Sequence, residues 1–293
     1  MSERSIRDVL VDDERTGAVR GMPRQVYGIA KRMNATSLKA GLIGSHEIDP
    51  VLIREAYENT RPDPSASLQD SFDRGTLAHT ILLEPEKLVE LIAVWKGDRR
   101  AGAEWKEFNE ANVGKLIMRD ADVREVQRAC RAVRSIQPVN ELLRRKHETE
   151  LAVFGKVSRT YCKGLIDSIT TDDEPVTLID LKTTATGIDE DSVMRAIRKL
   201  RYREQLALYA HLYEQATGKQ IETVILLFVS LASEGVQLVK LTTSARQFGL
   251  ARMVAAIEAV ERCIESDDWP VFFGQSICDV SNFEADDLDI EGI

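Results

Sequence analysis

The most informative part of the 293-residue sequence is one stretch, Val176-Thr177-Leu178-Ile179-Asp180-Leu181-Lys182-Thr183. Its β-branched and aliphatic residues are typical of a buried strand, although two of its side chains are charged. Side chains alternate between the faces of a strand with a period of two, so Asp180 and Lys182 share one face. Two charges on one face of an apolar strand are costly to bury and are hard to explain by packing. The stretch therefore predicts a strand that carries a chemical site.

A second carboxylate lies on the preceding predicted strand, Tyr161–Thr170, which contains Asp167 and is joined to the first stretch by a short turn. Two carboxylates within a few ångströms of each other repel unless a cation lies between them. Mg²⁺ takes oxygen ligands and usually keeps several waters. We therefore expect Asp167, Asp180 and the backbone carbonyl of Leu181 to hold a divalent cation. Lys182 would polarise a water or stabilise charge on a phosphate.

A structural interpretation of the same residues stays open. Asp167 would then end its strand, while Asp180 and Lys182 would face solvent on an edge strand. The apolar run Val176-Thr177-Leu178-Ile179 favours a central strand instead, because edge strands are more often polar on one face.

The remaining pattern predicts an α/β fold whose first half is helical. The predicted elements are helices within 24–60 and over 69–83, 101–114 and 120–146, antiparallel strands over 149–156, 161–170 and 176–183, a helix over 190–217, strands over 221–230 and 236–242, and a helix over 244–266. We expect one domain over 21–275, made of a helical half (21–147) and a motif-bearing α/β core (148–275). A mobile N-terminus (1–20) and an acidic C-terminal tail (276–293) flank it.

The composition, with 43% hydrophobic and 30% charged residues, is that of a soluble globular protein. Thirty-nine basic and 48 acidic residues give a net charge of −9, which argues against a protein that coats nucleic acid but permits a confined basic channel. No apolar run approaches the roughly 20 residues that span a bilayer and no signal core follows the first residues, so we expect a cytoplasmic protein without a membrane partner. The cysteines (Cys130, Cys162, Cys263 and Cys278) form no C-x-x-C pair, which predicts buried thiols and no iron–sulfur cluster.

Three segments resemble, in order, the successive motifs of the RecB-like nucleases of the PD-(D/E)XK superfamily: Lys163-Gly164-Leu165-Ile166-Asp167, Leu178-Ile179-Asp180-Leu181-Lys182-Thr183-Thr184 and Gln205-Leu206-Ala207-Leu208-Tyr209. Upstream, the run Arg74-Gly75-Thr76-Leu77-Ala78-His79-Thr80-Ile81-Leu82-Leu83-Glu84-Pro85-Glu86 resembles the matching element of the RecE-type branch, the exodeoxyribonuclease VIII-like phage and prophage exonucleases. The resemblance extends from about Arg24 to Phe273. It implies a restriction-endonuclease-like core, with a mixed central β-sheet flanked by helices.

The resemblance also assigns roles to residues outside the central strand pair. It implies that His79 is a metal ligand and that Glu150 is the additional acidic residue near the metal, with Glu148 as the competing choice. It implies that Gln205 contacts DNA or orients the catalytic lysine. Tyr209 lies four residues later and would support the same helix face.

Basic residues near these motifs are candidates for DNA contact. A solvated charged surface is the alternative for those that precede the third motif, but their position one to two turns from the proposed site favours phosphate contact. The candidates are Arg74, Arg198, Lys199, Arg201 and Arg203.

The activity that the resemblance implies is Mg²⁺-dependent digestion of linear double-stranded DNA in the 5′→3′ direction, with Mn²⁺ able to substitute. One strand would be degraded to leave a 3′ single strand for recombination by single-strand annealing. The resemblance further implies a ring-shaped homo-oligomer around the duplex, a trimer in preference to a tetramer, and an annealing protein as partner.

Three other interpretations stay open. Two are enzymatic, a structure-specific endonuclease and the nuclease subunit of a helicase complex, although the chain has no G-x-x-x-x-G-K-[ST] motor loop of its own. The third is a non-catalytic DNA-end-binding protein that keeps the fold.

Overall fold

The computed structural model describes residues 16–44, 46–58, 65–172, 175–185 and 187–270. The acidic tail predicted over 276–293 lies outside these residues, as do residues 1–15 of the predicted mobile N-terminus. Within the described part, helices flank one large mixed sheet, so the predicted α/β fold is confirmed.

Nine strands form in the described residues, and seven of them belong to one sheet. Their bounds are β1 (Gly17–Val19), β2 (Met33–Asn34), β3 (Ile92–Trp95), β4 (Leu116–Arg119), β5 (His147–Val157), β6 (Thr160–Thr170), β7 (Thr177–Thr184), β8 (Thr223–Ser230) and β9 (Val236–Lys240). The large sheet has the order β1-β5-β6-β7-β8-β9 with β2 beside β6, while β3 and β4 pair with each other. Strands β5, β6 and β7 are antiparallel neighbours as predicted, and β7 and β8 are parallel. The strand β7 therefore lies in the interior of the sheet rather than at an edge.

Eleven α-helices occur in the same residues. Their bounds are α1 (Arg24–Ile29), α2 (Ala35–Ala40), α3 (Pro50–Tyr57), α4 (Ala66–Leu83), α5 (Leu88–Leu91), α6 (Ala103–Ala111), α7 (Asp120–Ser135), α8 (Gln137–Arg144), α9 (Glu190–Lys199), α10 (Tyr202–Thr217) and α11 (Thr243–Ser266). Side-chain caps set several starts: Asn34 accepts a hydrogen bond from the backbone N–H of Ser37 at α2, as the sequence indicates. None of the helices described here is long and apolar enough to cross a membrane.

The helix predicted over 120–146 is broken, so that prediction is wrong in its continuity. The chain leaves helical geometry at Ile136, between α7 and α8. Pro138 lies in the first turn of α8, where its missing N–H costs nothing, whereas in a continuous helix it would remove a hydrogen bond.

The helix predicted over 190–217 is also broken, between α9 and α10. Arg201 adopts a left-handed backbone conformation with a φ of 54°, which ends one helix and begins the next in a new direction. Its guanidinium donates to the backbone oxygens of Leu42 and Gly44 at 3.0 and 2.7 Å, which holds the bend. Helix α10 then packs on β5 and β6.

The sheet separates two hydrophobic cores, and β7 contributes to both of them. Leu178 packs into the core that includes α2, α3, α10 and α11, whereas Ile179 and Leu181 pack into the core that includes α4, α7 and α8. Because the strand alternates with a period of two, Asp180 and Lys182 point to the α10 side with Leu178. The predicted common face of the two charged residues is thus confirmed.

The described cysteines are buried. Cys130, Cys162 and Cys263 are free thiols in the interior, and burial raises the pKa of Cys130 and of Cys162 to about 12. These two thiols are protonated at neutral pH and therefore poor nucleophiles. The fourth, Cys278, lies outside the described residues.

Candidate active site

The site forms where β6 and β7 separate. Their pairing covers only residues 168–169 of β6 and 178–179 of β7. Asp167 and Asp180 are the next residues on the two strands, at the point where the ladder stops. There the backbone N–H of Leu181 donates to Oδ2 of Asp167 at 3.0 Å, so a carboxylate takes the place of a backbone acceptor.

Asp167 lies in a largely buried position near a second carboxylate, that of Asp180. Burial, followed by the negative charge of Asp180, raises the pKa of the Asp167 carboxyl to about 6. The nearby His79 and Lys182 oppose this rise but do not cancel it. Burial and the neighbouring carboxylate both disfavour the ionised form of Asp167, and a metal ion bound beside it would offset both.

Three side chains from three different elements converge beside this aspartate. His79 of α4, Glu150 of β5 and Asp167 of β6 offer ligand atoms that all lie within 4.8 Å of one another. Nε2 of His79 is also 3.0 Å from the backbone oxygen of Leu181. Two carboxylates, one imidazole and one carbonyl form a donor set that suits a hard or borderline divalent cation. The structure thus brings together three of the predicted metal ligands, His79, Asp167 and Leu181, with Glu150, the acidic residue predicted to lie near the metal.

Glu150 reaches the site through an uncommon backbone conformation. Its φ is 49°, in the left-handed region, and the ladder to β6 skips it while it pairs Thr149 and Leu151 on either side. Such a conformation costs on the order of 1 kcal/mol and tends to occur at functional sites. Glu148, the competing choice, instead pairs with Arg20 at 2.7 Å.

The carboxylate of Glu150 is held by the guanidinium of Arg24 in α1. Nη2 of Arg24 donates to Oε1 at 2.7 Å and Nε donates to Oε2 at 3.2 Å. Helix α1 is itself anchored from β6, because the buried Lys163 donates to the backbone oxygens of Tyr27 and Ala30. Arg24 was not predicted as a site residue, since 126 positions separate it from its partner and no local pattern marks it.

Asp180 and Lys182 form an ion pair on the α10 side of β7. Nζ of Lys182 is 2.5 Å from Oδ2 of Asp180, whose side chain is 1% exposed. Burial alone would lower the pKa of the Lys182 ammonium, but the charges of Asp180 and Asp167 outweigh burial and raise it. Lys182 is therefore a cation at neutral pH rather than a general base. Because Asp180 does not belong to the group of three converging ligand atoms, its role as a metal ligand stays a prediction.

Helix α10 places Gln205 and Tyr209 against the site, one turn apart. Nε2 of Gln205 lies 3.5 Å from Oδ1 of Asp180, and its Oε1 accepts a hydrogen bond from Nζ of Lys39 at 2.6 Å. Tyr209 is buried against β6, where a Cβ on Gly164 would come within 2.7 Å of its ring. Burial raises the pKa of the Tyr209 hydroxyl well above its usual value, so this residue contributes shape rather than charge.

The residues predicted to contact DNA fall into two groups, and phosphate contact by any of them stays a prediction. Arg198 and Lys199 are exposed in the last turn of α9. The other three are engaged within the protein: Arg74 with Asp122 and Glu125, Arg201 with the carbonyls of Leu42 and Gly44, and Arg203 with Glu204 and the ring of Phe248.

A cavity of about 710 Å³ is lined by His79, Leu181, Lys182 and Gln205, whereas Glu150 and Asp167 line a second cavity of about 460 Å³; Arg24 lines both. The larger cavity is narrow beside β7, where a Cβ on Gly75 of α4 would lie 3.2 Å from Oγ1 of Thr183. Among the groups that line it, Lys39 is a second residue without any signal in the sequence, since it follows a helix cap and resembles an ordinary surface lysine. The charged and amide side chains that line the larger cavity are Arg24, Lys39, Asp70, Arg74, His79, Glu125, Lys182 and Gln205, of which Glu125 pairs with Arg74.

Comparison with known proteins gives one family and one fold. Residues 55–281 match the family described as "PDDEXK-like domain of unknown function (DUF3799)". A solved structure from Eubacterium rectale, described as a "putative exonuclease", aligns with a TM-score of 0.59 and 12% sequence identity over 90% of this chain and 98% of that chain. At this identity the likeness shows the fold alone. No curated protein matches the sequence.

Two other solved structures align more weakly. SSO0001 has a TM-score of 0.28 and 17% identity over 54% of this chain and 66% of its own. VC1899 from Vibrio cholerae has a TM-score of 0.21 and 12% identity over 70% of this chain and 54% of its own. Scores this low carry no argument.

Proposed function

We propose that this chain, which belongs to the PDDEXK-like family DUF3799, is a metal-dependent deoxyribonuclease. Its substrate in this proposal is the end of linear double-stranded DNA. The observation that carries the proposal is the convergence of His79, Glu150 and Asp167 beside the ion pair of Asp180 and Lys182. An acidic, metal-suited group next to a permanent cation is what hydrolysis of a phosphodiester requires. One group holds the metal, and the other stabilises the charge that develops on the phosphate.

A divalent cation bound at this place would supply charge neutralisation and an acidified water. The chain's own residues do the rest of the work. His79, Glu150, Asp167 and the carbonyl of Leu181 would hold the ion. Lys182 presents its ammonium to the phosphate oxygens, and Asp180 fixes that ammonium in place. Gln205 of α10 reaches the same aspartate and helps to orient it.

The finer features of the proposal rest on the resemblance of the motifs to RecE-type exonucleases. They are Mg²⁺ as the metal, with Mn²⁺ as a substitute, 5′→3′ polarity, and a 3′ single-stranded product that is passed to an annealing protein in the cytoplasm. A ring-shaped homo-oligomer, trimer or tetramer, would enclose the duplex. A ring suits the net charge of −9, because an acidic exterior repels stray DNA while a basic lumen retains the substrate.

The test uses linear duplexes labelled at either the 5′ or the 3′ end, with a covalently closed circle of the same sequence as the control. We expect Mg²⁺-dependent release of mononucleotides from the 5′ ends, persistence of the 3′-labelled strand, and an intact circle. Asp180→Asn should abolish release while leaving duplex binding in Ca²⁺ largely unchanged. Equal digestion of the circle would indicate an endonuclease instead. Duplex binding without any turnover would indicate an end-binding protein.

The assembly is tested separately by sedimentation of the purified protein with and without a duplex oligonucleotide. We expect the mass of three or four subunits in both conditions. A monomer that stays monomeric on DNA would contradict the ring without affecting the proposed chemistry.

A further inference from the structure

Lys39 of α2 lies in the site cavity on the side where the charged face of β7 meets α10. Its Nζ donates to Oε1 of Gln205 at 2.6 Å and lies 5.4 Å from the centroid of the Tyr202 ring. Nζ of Lys182 lies 4.9 Å from the same centroid. Two ammonium groups therefore share one aromatic ring and line one cavity.

The positive charge on this side exceeds the negative charge within reach. Asp180 already pairs with Lys182, and Glu204, the next carboxylate, pairs with Arg203 at 2.9 Å. Burial, followed by the charge of Lys182, lowers the pKa of the Lys39 ammonium to about 8, although Asp180 and Glu204 oppose the shift. The hydrogen bond of Lys39 to Gln205 goes to a neutral amide, which stabilises an ammonium less than a carboxylate does.

Two like charges held together in a cavity favour the binding of a counter-ion, just as two neighbouring carboxylates favour the binding of a cation. The anion that enters this cavity during the proposed reaction is the phosphate of the nucleic acid. An exchange of the neutral amide for a phosphate oxygen would give Lys39 a charge-assisted hydrogen bond and relieve the repulsion from Lys182.

We propose that Lys39 is a second phosphate-binding cation of the active site, resting on Gln205 in the free protein and contacting a non-bridging phosphate oxygen beside Lys182 in the complex. This inference rests on the proposed nuclease function and extends it, because it assigns a catalytic residue that belongs to none of the sequence motifs.

The first arm of the test compares three variants on an end-labelled linear duplex. Lys39→Met should lower kcat/KM by roughly 10²-fold while leaving the thermal shift produced by Mn²⁺ unchanged. Lys39→Arg keeps the charge and should retain activity to within about tenfold. Lys106→Met removes an exposed lysine of α6 and should match the wild type, which controls for the loss of one charge. Melting curves of Lys39→Met and Lys39→Arg within a few degrees of the wild type show that both fold.

The second arm uses pH, because a structural role for Lys39 would not give an alkaline titration. The groups that face Lys39 are Lys182, Asp180, Glu204 and Tyr202. The pKa values of Lys182 and Tyr202 are raised, whereas that of Lys39 is lowered to about 8, so Lys39 loses its proton before these two neighbours do. The kcat/KM of the wild type should fall above a pH of about 8, and that of Lys39→Arg should persist to a pH of about 9.5 because a guanidinium stays protonated.

The third arm separates contact with the phosphate from an effect through Gln205. If Lys39 touches the substrate, the losses in Lys39→Met and Gln205→Ala multiply in the double variant. A double variant no slower than Gln205→Ala would make Lys39 a positioning residue and overturn the proposal.

Two other results would also overturn it. One is a kcat/KM of Lys39→Met within about threefold of the wild type, and the other is the same alkaline decline in Lys39→Arg as in the wild type. A wild type that does not cut DNA at all would overturn the proposed function, and the role of Lys39 with it. A wild type that cuts while Lys39→Met cuts equally well would overturn only the role of Lys39.

Discussion

The two sides of the site carry side chains of opposite charge, and on both sides burial shifts a pKa towards the neutral form of the group. On the side of α4, β5 and β6, two carboxylates lie close to His79, and burial and Asp180 raise the pKa of Asp167 to about 6. On the side of α2, β7 and α10, ammonium groups collect instead, and the pKa of Lys39 falls to about 8 because of burial and of Lys182. Each side has one internal partner from the chain: Arg24 holds Glu150, and Asp180 holds Lys182.

The difference between the two sides would allow one site to hold a metal ion and a negatively charged substrate together. The acidic side would hold a cation and the basic side would contact a phosphate, and the charges of the two sides act on each other through Asp167 and Lys182. The carboxylate of Asp180 lies between the sides, raising the pKa of Asp167 on one and pairing with Lys182 on the other. The predictions below change a single charge on each side, then the packing between the sides, and then the ionisation of Asp167.

The largest loss of activity is expected from two single variants, one on each side, that remove the charge of Asp167 or of Lys182. Asp167→Asn and Lys182→Gln should each lower the rate of DNA cleavage by roughly 10³-fold or more, because each removes a group that acts on the reacting phosphate or its metal. Their metal binding should differ. Asp167→Asn should lose most of its affinity for Mn²⁺ in a calorimetric titration, and Lys182→Gln should keep or slightly increase it, since a nearby cation is removed.

The comparison of the two variants contains its own control, because each removes one charge from the same site. Equal affinity for Mn²⁺ in both variants would mean that the two sides do not have the separate roles assigned to them. Unchanged near-ultraviolet circular dichroism is needed for Lys182→Gln, because it leaves the buried Asp180 without its ammonium.

A smaller effect is expected from a change that shifts the two sides relative to each other. In Gly164→Ala the new methyl would lie 2.7 Å from the ring of Tyr209, so α10 must move away from β6 or the ring must rotate. Overpacking of this kind typically costs about 1–3 kcal/mol, and we expect a loss of that size in urea unfolding. Activity should fall as well, because Gln205 is on the same helix. A variant that unfolds at the same urea concentration as the wild type would show that Gly164 and Tyr209 are not in tight contact.

The smallest effect concerns stability without metal. The folded-state pKa of Asp167 is raised, so its protonated form favours folding; that contribution is complete below the unfolded value near 4 and is lost as pH rises through about 6. In EDTA, Asp167→Asn should therefore gain stability over the wild type as pH rises from about 4.5 to about 7.5. A difference on the order of 2 kcal/mol corresponds to a few degrees in Tm. A difference in Tm between Asp167→Asn and the wild type that does not change with pH would show that the pKa of Asp167 is not raised.

Local features of the sequence were enough to predict the strands that carry the site. The apolar run before Asp180 predicted an interior strand, and the period of two placed Asp180 and Lys182 on one face, where they form an ion pair. The resemblance of the motifs added His79 and Glu150, and the structure places both beside Asp167. The boundary between α9 and α10 was harder to predict from the sequence. The break at Arg201 depends on hydrogen bonds to carbonyls of a distant loop and not on a Gly or Pro.

The strand pattern of β7, its two charges and the order of the motifs follow from the amino acids alone, because strand alternation and the cost of burying charge are local properties. The convergence of His79 with Glu150 depends on how the helices pack on the sheet. The same is true of Lys39 resting on Gln205, 166 positions away, and of Arg24 on Glu150. Such contacts arise only when distant elements are packed together, and no periodicity within either segment encodes them.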